Sequence, residues 1–206
     1  MKSSLIVWIK AIIHIAALTF IGLIFWDFLN DQLTANPIEE ITKRTGKYTL
    51  ISLVLTLSCT PAGILFDFND IIKARRQIGL YSFFFATLHF FTFLGLDYAF
   101  DVDLVLKDVI KKRYVVAGFS TYLILALLAA TSLNFARREL GRQWSNLHAL
   151  IYLAGSLAVL HFAWLVKAGI LEPLLYGSLI LLLLVLRLSL IKNKSFFSQR
   201  RKVAEE

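Results

Sequence analysis

The sequence predicts an all-α integral membrane protein, built as a bundle of six transmembrane helices. Hydrophobic residues make up 58% of the 206 residues, and the mean hydropathy of +0.69 is far above that of a soluble domain. The apolar residues form stretches long enough to cross a hydrocarbon core about 30 Å thick. Six such stretches occur: residues 5–29, 48–66, 78–96, 114–135, 147–166 and 171–191.

Local features of these stretches agree with membrane helices. The first is expected to be retained and not cleaved as a signal peptide, because Lys10 and His14 interrupt it, it is too long, and no small-residue cleavage site follows. Pro61 is expected to end or kink the second helix. Pro173 lies in the first turn of the sixth, where a missing N–H group is tolerated. No tandem repeat or linker divides the chain, so we expect one domain over residues 1–206.

The basic residues predict the orientation of the bundle. The N-terminal segment, the second and fourth connections and the C-terminal tail together hold 14 of the 22 Lys and Arg residues. By the positive-inside rule, both termini should therefore be cytoplasmic. The formal net charge of +8 then reflects topology and contact with anionic lipid, and we do not expect nucleic-acid binding.

Cysteine and histidine limit the chemistry that the chain can support. Cys59 is the single cysteine, which excludes an intramolecular disulfide and any cysteine-based zinc or iron–sulfur site. All four histidines, His14, His89, His148 and His161, lie in apolar stretches. Such residues either hold a metal cofactor or, in a non-redox transporter or assembly protein, relay protons and join helices by hydrogen bonds.

The four histidines fall at two depths. His14 and His148 lie near the basic ends of their helices, so both should be close to the cytoplasmic face. His89 and His161 lie deeper, from the middle to the outer half. Two pairs at two depths suit b-type haems, each of which takes one imidazole on either side of its iron.

His148 and His161 are 13 residues apart on the predicted fifth helix. That spacing corresponds to a rise of about 20 Å but leaves the two side chains roughly 140° apart around the axis. Either Gly155 and Ser156 permit an irregular helix, or the two haems lie to different sides of it.

Two runs of sequence resemble the MsrQ (formerly YedZ) family, the haem-binding membrane subunits of the bacterial periplasmic methionine sulfoxide reductase system. They are residues 75–89 (RRQIGLYSFFFATLH) and residues 140–164 (LGRQWSNLHALIYLAGSLAVLHFAW). The likeness extends to residues 8–14 and 36–46. Through this family the chain is similar to the ferric-reductase-like transmembrane proteins, which include the NADPH oxidases.

The resemblance implies a transmembrane electron conduit in the bacterial inner membrane, with one or two b-type haems. Electrons would come from a cytoplasmic-side donor, namely a flavin reductase, bound FMN or the quinone pool. They would leave to a periplasmic molybdopterin-containing catalytic subunit, for which the charged outer connection, residues 97–113, is a candidate docking surface. The chain has no Gly-rich dinucleotide fingerprint and no second cysteine, so we expect neither a nicotinamide site nor sulfoxide reduction on it. A quinol-oxidising cytochrome b with another acceptor is the alternative.

The family pattern also suggests ligands. The oxidase relatives carry two haem-binding histidines on each of the third and fifth helices, whereas the third stretch here has only His89, and Arg75 stands 14 residues before it. The outer haem is therefore assigned to His89 and His161, and the inner haem to His148. Opposite His148 we expect His14, with Arg75 or Arg76 as a propionate partner, because a protonated arginine is a poor iron ligand. An arginine ligand or an open site is the alternative.

The orientation can be tested with a reporter that is active only in the periplasm. Fused after Glu206, it should give no signal, because the basic residues hold that end in the cytoplasm. A strong signal there would overturn the assignment of all four histidine depths.

Overall fold

The computed structural model describes the backbone of residues 2–166 and 169–204, and the side chains of residues 5–107, 109, 111–166, 169–187, 189 and 190. Within these ranges the chain is helical, without strands. The α-helices are α1 (Lys2–Leu29), α2 (Pro37–Leu65), α3 (Asn69–Phe91), α4 (Val102–Lys111), α5 (Arg113–Ala130), α6 (Asn134–Leu140), α7 (Gln143–His148), α8 (Leu150–Leu165) and α9 (Leu171–Ala204). A π-helical segment, Thr92–Asp97, continues α3.

Five helical segments in the described part of the chain are long and apolar enough to cross a membrane, so this is a multi-pass membrane protein. They are Leu5–Leu29, Pro37–Leu65, Asn69–Asp97, Arg113–Ala130 and Gln143–Leu165. The sixth predicted stretch, residues 171–191, falls within α9 and begins at its first residue. Its membrane crossing, and with it the cytoplasmic position of both termini, stays a prediction. The side chains of the basic tail from Lys192 onward lie outside the described residues.

The second helix begins 11 residues earlier than the apolar stretch predicted. Asn36 caps α2 by accepting the Glu39 N–H at 3.3 Å, and Pro37 occupies the first position, where proline is favoured. The polar first turns are stabilised by ion pairs four residues apart, such as Lys43 Nζ to Glu39 Oε1 at 2.5 Å. Pro61 lies inside α2 and does not end it. Hydropathy therefore located only the membrane part of a longer helix.

The third helix also begins earlier, at Asn69, so only three residues separate it from α2. Arg75 and Arg76, which the sequence placed in a cytoplasmic loop, lie on the second turn of α3. The tight connection places α3 directly against α2. At Gly63 a Cβ atom would lie 2.3 Å from the Ile72 side chain, so the absence of a side chain there permits this approach.

The fourth and fifth predicted helices are both divided. α5 ends at Ala130, five residues before the predicted end, and the short helix α6 follows. The stretch 147–166 was predicted as one helix, but His148 ends α7 and His161 lies on α8, with Ala149 between them. Ala149 keeps near-helical dihedrals, φ −70° and ψ −18°, so α7 and α8 together form the apolar segment Gln143–Leu165. Gly155 and Ser156 lie within α8, so no irregularity occurs there.

The charged connection of residues 97–113, which is predicted to be the outer one, contains a helix that the sequence analysis missed. α4 is strongly amphipathic, and its apolar residues Val102, Leu104 and Leu106 are exposed. Helices of this kind lie in the plane of a membrane interface. The helix has only ten residues and is flanked by charges, so hydropathy could not distinguish it from a loop.

α2 lies at the centre of the bundle and contacts α1, α3, α8 and α9. One buried apolar cluster joins it to α9: Leu50, Val54, Leu57, Ile180 and Leu183. A second joins it to α3, α5 and α8: Leu53, Ala86, Leu125 and Ala154. The outward faces carry exposed apolar residues, such as Trp8 and Phe25 on α1, as lipid contact requires. The structure thus buries residues mainly around α2.

Leu53→Ala should destabilise the bundle by about 2–5 kcal/mol, because Leu53 is 0% exposed and its removal leaves a cavity. Leu55→Ala is the matched control, since Leu55 lies on the same helix and is 50% exposed. Thermal denaturation in detergent micelles measures both. Equal losses of stability would contradict the central position of α2.

Candidate functional site

The rings of His89 and His161 meet between α3 and α8. Their centroids are 6.0 Å apart, and the ring planes are inclined by 82°. These are the two histidines that the sequence assigned to the same, outer depth. The structure brings them together from residues 72 positions apart in the chain.

A backbone carbonyl fixes each of the two rings. His89 Nδ1 lies 2.8 Å from the Thr42 carbonyl oxygen of α2, and His161 Nδ1 lies 2.7 Å from the Tyr114 carbonyl oxygen of α5. A carbonyl oxygen only accepts, so Nδ1 carries the proton in both residues and donates it. Nε2 of each ring is then unprotonated and able to bind a metal, the arrangement typical of metal-ligating histidines.

A glycine lies beside each of these hydrogen bonds. Gly46 follows Thr42 by four residues and Gly118 follows Tyr114 by four residues, which places each glycine one helical turn beyond the accepting carbonyl. A Cβ atom would lie 3.1 Å from the His89 ring at Gly46 and 2.7 Å from His161 Nδ1 at Gly118. Each ring therefore occupies the space that the glycine leaves open.

The two arrangements are equivalent. In each, one helix supplies a backbone carbonyl oxygen and, four residues later, a glycine. The histidine that donates to this carbonyl oxygen follows it by 47 residues in the chain. We call the set Thr42, Gly46, Tyr114 and Gly118 the histidine cradle. Sequence analysis missed it because every residue has a backbone carbonyl, so no residue type marks the one that accepts the hydrogen bond. The shared spacing from glycine to histidine was the available signal.

The His89–His161 pair could hold one metal ion, such as a haem iron. Both rings are fixed through Nδ1, both leave Nε2 as a donor atom, and their centroids are 6.0 Å apart. The π-helical segment begins three residues after His89, and Thr92 Oγ1 donates to the His89 carbonyl oxygen at 2.8 Å. Segments of this kind recur at functional sites.

His148 lies apart from this pair, at the junction of α5 and α7. Its ring stacks on Trp144 with centroids 4.0 Å apart, and its Nε2 lies 3.2 Å from Thr131 Oγ1. Trp144 Nε1 donates to the Thr131 carbonyl oxygen at 2.9 Å, which holds the stack in place. An iron bound at Nε2 would replace the contact with Thr131.

His14 is not placed opposite His148. Its Nδ1 lies 2.5 Å from the Tyr81 hydroxyl of α3, and Gln77 of α3 donates to the Lys10 carbonyl oxygen at 3.0 Å. These contacts hold α1 on α3, whereas His148 contacts α5 and its own helix. The predicted His14–His148 pair is therefore not assembled in the structure, because helix packing orients His14 toward Tyr81.

Arg75 and Arg76 point to different neighbours. Arg75 Nη1 donates to Thr60 Oγ1 of α2 at 3.0 Å, and Arg76 Nη1 donates to Asn134 Oδ1 of α6 at 3.1 Å. The two arginines therefore contact different helices, Arg75 helix α2 and Arg76 helix α6.

Comparisons with known proteins agree with this architecture. Residues 45–159 match the model of the ferric reductase like transmembrane component. A protein-methionine-sulfoxide reductase heme-binding subunit MsrQ of Herminiimonas arsenicoxydans is 44% identical over 87% of this chain and 84% of its own length. The MsrQ subunit of Bordetella pertussis is 40% identical over 85% of this chain and 86% of its own. The MsrQ subunit of Xanthomonas axonopodis pv. citri is 41% identical over 88% of this chain and 86% of its own length.

The histidine cradle predicts a graded response to added methyl groups. Gly118→Ala should displace the His161 ring most, because its Cβ would lie 2.7 Å from Nδ1, and Gly46→Ala should have a smaller effect at 3.1 Å. Gly22→Ala is the control, since nothing lies within 4 Å of its Cβ position. Low-spin haem absorbance per protein measures the effect. An unchanged spectrum in Gly118→Ala would contradict the cradle.

Proposed function

We propose a function from the premise that this chain belongs to the MsrQ family, within the ferric-reductase-like transmembrane proteins. It is a haem-binding, membrane-spanning electron-transfer subunit of the methionine sulfoxide reductase system. Beyond that, we propose that it lies in the bacterial inner membrane. There it carries electrons from a cytoplasmic-side donor to a periplasmic molybdopterin-containing catalytic subunit.

The observation that supports this proposal most is the His89–His161 pair with its two carbonyl acceptors. The two Nε2 atoms would hold one b-type haem in the outer half of the bundle. Such a haem would supply one-electron reduction and reoxidation of its iron. The carbonyls of Thr42 and Tyr114 keep each imidazole in one tautomer, fix its orientation and raise its basicity.

A second, inner haem would be held at His148. Arg75, which donates to Thr60 of α2, would suit a propionate of that haem better than its iron, because a guanidinium keeps its proton and donates through a fork. His14 would have to leave Tyr81 to act as the second ligand. Arg76, bound to Asn134, would take no part.

The donor and acceptor would be separate molecules. We propose a flavin reductase, bound FMN or the quinone pool as the cytoplasmic donor, and α4 with its exposed apolar residues as part of the periplasmic docking surface. Cys59 is buried and donates to the Leu55 carbonyl oxygen at 3.1 Å, so its thiol does not face a substrate. The reduction of methionine sulfoxide would take place on the catalytic subunit.

A quinol-oxidising cytochrome b is the second candidate, and one observation favours it. An apolar groove of about 360 Å³ lies between α1, α2 and α3, lined by residues that include Phe25, Phe85 and Leu88 beside His89. Its apolar lining suits a prenyl chain. However, the hydroxyls of Thr45 and Thr92 that line it both donate to backbone carbonyl oxygens. Anaerobic reduction of the purified protein by a quinol analogue without flavin would favour this candidate.

The decisive variants are His89→Ala, His161→Ala and the double substitution. Each single variant should lose the same low-spin haem, and the double variant should lose no more, because one iron needs both imidazoles. Phe91→Ala on α3 and Leu160→Ala on α8 are controls, since both side chains are partly exposed. Haem content and reduced-minus-oxidised spectra measure the outcome.

Electron transfer to the periplasmic subunit should stop in both histidine variants. A colourless wild-type protein would support a non-redox transporter or assembly protein instead. Retention of every low-spin haem in both single variants would contradict the ligand assignment while leaving the family membership intact.

A further inference from the structure

A tryptophan on α7 lies against the imidazole of His148. The two ring centroids are 4.0 Å apart and the ring planes are inclined by 26°, so Trp144 stacks on His148. Residues four positions apart share one face of a helix, which brings these two side chains together. Because α7 is only six residues long, Gln143–His148, the stack extends over nearly the whole helix.

Contacts with two other helices hold the indole of Trp144 in place. Its Nε1 atom donates to the carbonyl oxygen of Thr131, the residue that caps the end of α5, at 2.9 Å. The guanidinium of Arg137 on α6 lies over the indole ring, 5.0 Å from its centroid, and makes a cation–π contact. Trp144 thus joins α5, α6 and α7, and contacts within the protein alone fix the plane of its ring.

The hydrogen bond at Nε2 of His148 is one that an iron ligand has to give up. The Thr131 hydroxyl donates to the Leu127 carbonyl oxygen at 2.7 Å, so it accepts from His148 Nε2, which lies 3.2 Å away. Nε2 therefore carries the proton in this structure, whereas His89 and His161 carry it at Nδ1. An iron bound at Nε2 would replace both this proton and the contact with Thr131.

His148 lacks the backbone acceptor that orients the other two rings. Nδ1 of His89 and Nδ1 of His161 each donate to a carbonyl oxygen of a neighbouring helix. In the described part of the chain, the one hydrogen bond of the His148 ring is that at Nε2. With iron at Nε2, the stack on Trp144 is the contact that remains to orient the imidazole.

We propose that Trp144 is a positioning residue for the inner haem, and that its indole fixes the plane of the His148 imidazole by stacking. The inference rests on the proposed inner haem and adds the group that orients its ligand. The plane of an axial imidazole determines how its π orbital overlaps with the iron d orbitals. One fixed plane therefore gives one sharp low-spin signal, and it spares the ring the entropy cost of being ordered when haem binds.

Trp144→Leu and Trp144→Phe separate the stack from the hydrogen bond in the full-length protein in lipid nanodiscs. Both variants lose the Nε1 donor to Thr131, but phenylalanine retains an aromatic face for His148. Trp144→Leu should weaken inner-haem binding about tenfold or more, as the loss of a ligand-orienting contact does. It should also broaden the low-spin electron paramagnetic resonance signal of that haem and shift its midpoint potential. Trp144→Phe should resemble the wild type in all three measurements.

Trp8→Leu is the matched control, because Trp8 is 68% exposed on α1 and the substitution is the same. It should change neither haem. A merely structural role of Trp144 gives a different pattern: if the residue only ties α7 to α5 through Nε1, Trp144→Phe should be as impaired as Trp144→Leu. That result would overturn the inference, and so would an inner-haem signal in Trp144→Leu identical to that of the wild type.

The outer haem shows whether a variant is folded, since its predicted ligands His89 and His161 do not contact Trp144. If Trp144→Leu loses the outer signal, Trp144→Met takes its place, because methionine fills more of the indole space without offering an aromatic face. The expected broadening is the same. A wild-type protein without any haem would overturn both the proposed function and this inference. A wild-type protein with the outer haem alone would overturn only the inference and the inner haem on which it rests.

Discussion

The candidate site depends on two hydrogen bonds, from His89 Nδ1 to the Thr42 carbonyl and from His161 Nδ1 to the Tyr114 carbonyl. A histidine that donates through one nitrogen has the other nitrogen free for a metal, and its ring can no longer rotate. Because both bonds end on the backbone of a neighbouring helix, the ring positions follow the packing of α2 on α3 and of α5 on α8. The positions of two helix pairs therefore determine whether the imidazoles meet.

Close helix packing makes these bonds possible, and small residues permit it. The hydrophobic effect adds little between helices in lipid, so association depends on van der Waals contact and on interhelical hydrogen bonds. Gly46 and Gly118 leave room for the imidazoles, and Gly63 allows α3 to approach α2 through Ile72. Leu53, at the centre of α2, is fully buried among α3, α5 and α8. The bundle thus positions its polar site through contacts that are themselves apolar.

Charge is distributed differently at the two ends of the bundle. At the end where α1 connects to α2, Arg44 is paired with Asp27 and Glu40, which ties the two helices together. At the opposite end of α2, Arg75 donates to the neutral Thr60 hydroxyl and forms no ion pair with a carboxylate among the described residues. Unpaired charge in a membrane protein indicates a functional position more often than a structural one.

The sequence by itself determined the membrane class, the apolar core of each of five spans, the family, and the shared depth of His89 and His161, because hydropathy and motif are properties of local composition. Only the tertiary structure decided the start of α2 and α3, the break at Ala149, the partner of His14 and the cradle around the two rings. These features depend on capping groups, on backbone carbonyls and on which helices touch, and such contacts join residues that are far apart in the chain. The pairing of His14 with His148 stays a prediction: depth places two residues at one level, but helix packing decides which of them face each other, and in the structure His14 contacts Tyr81.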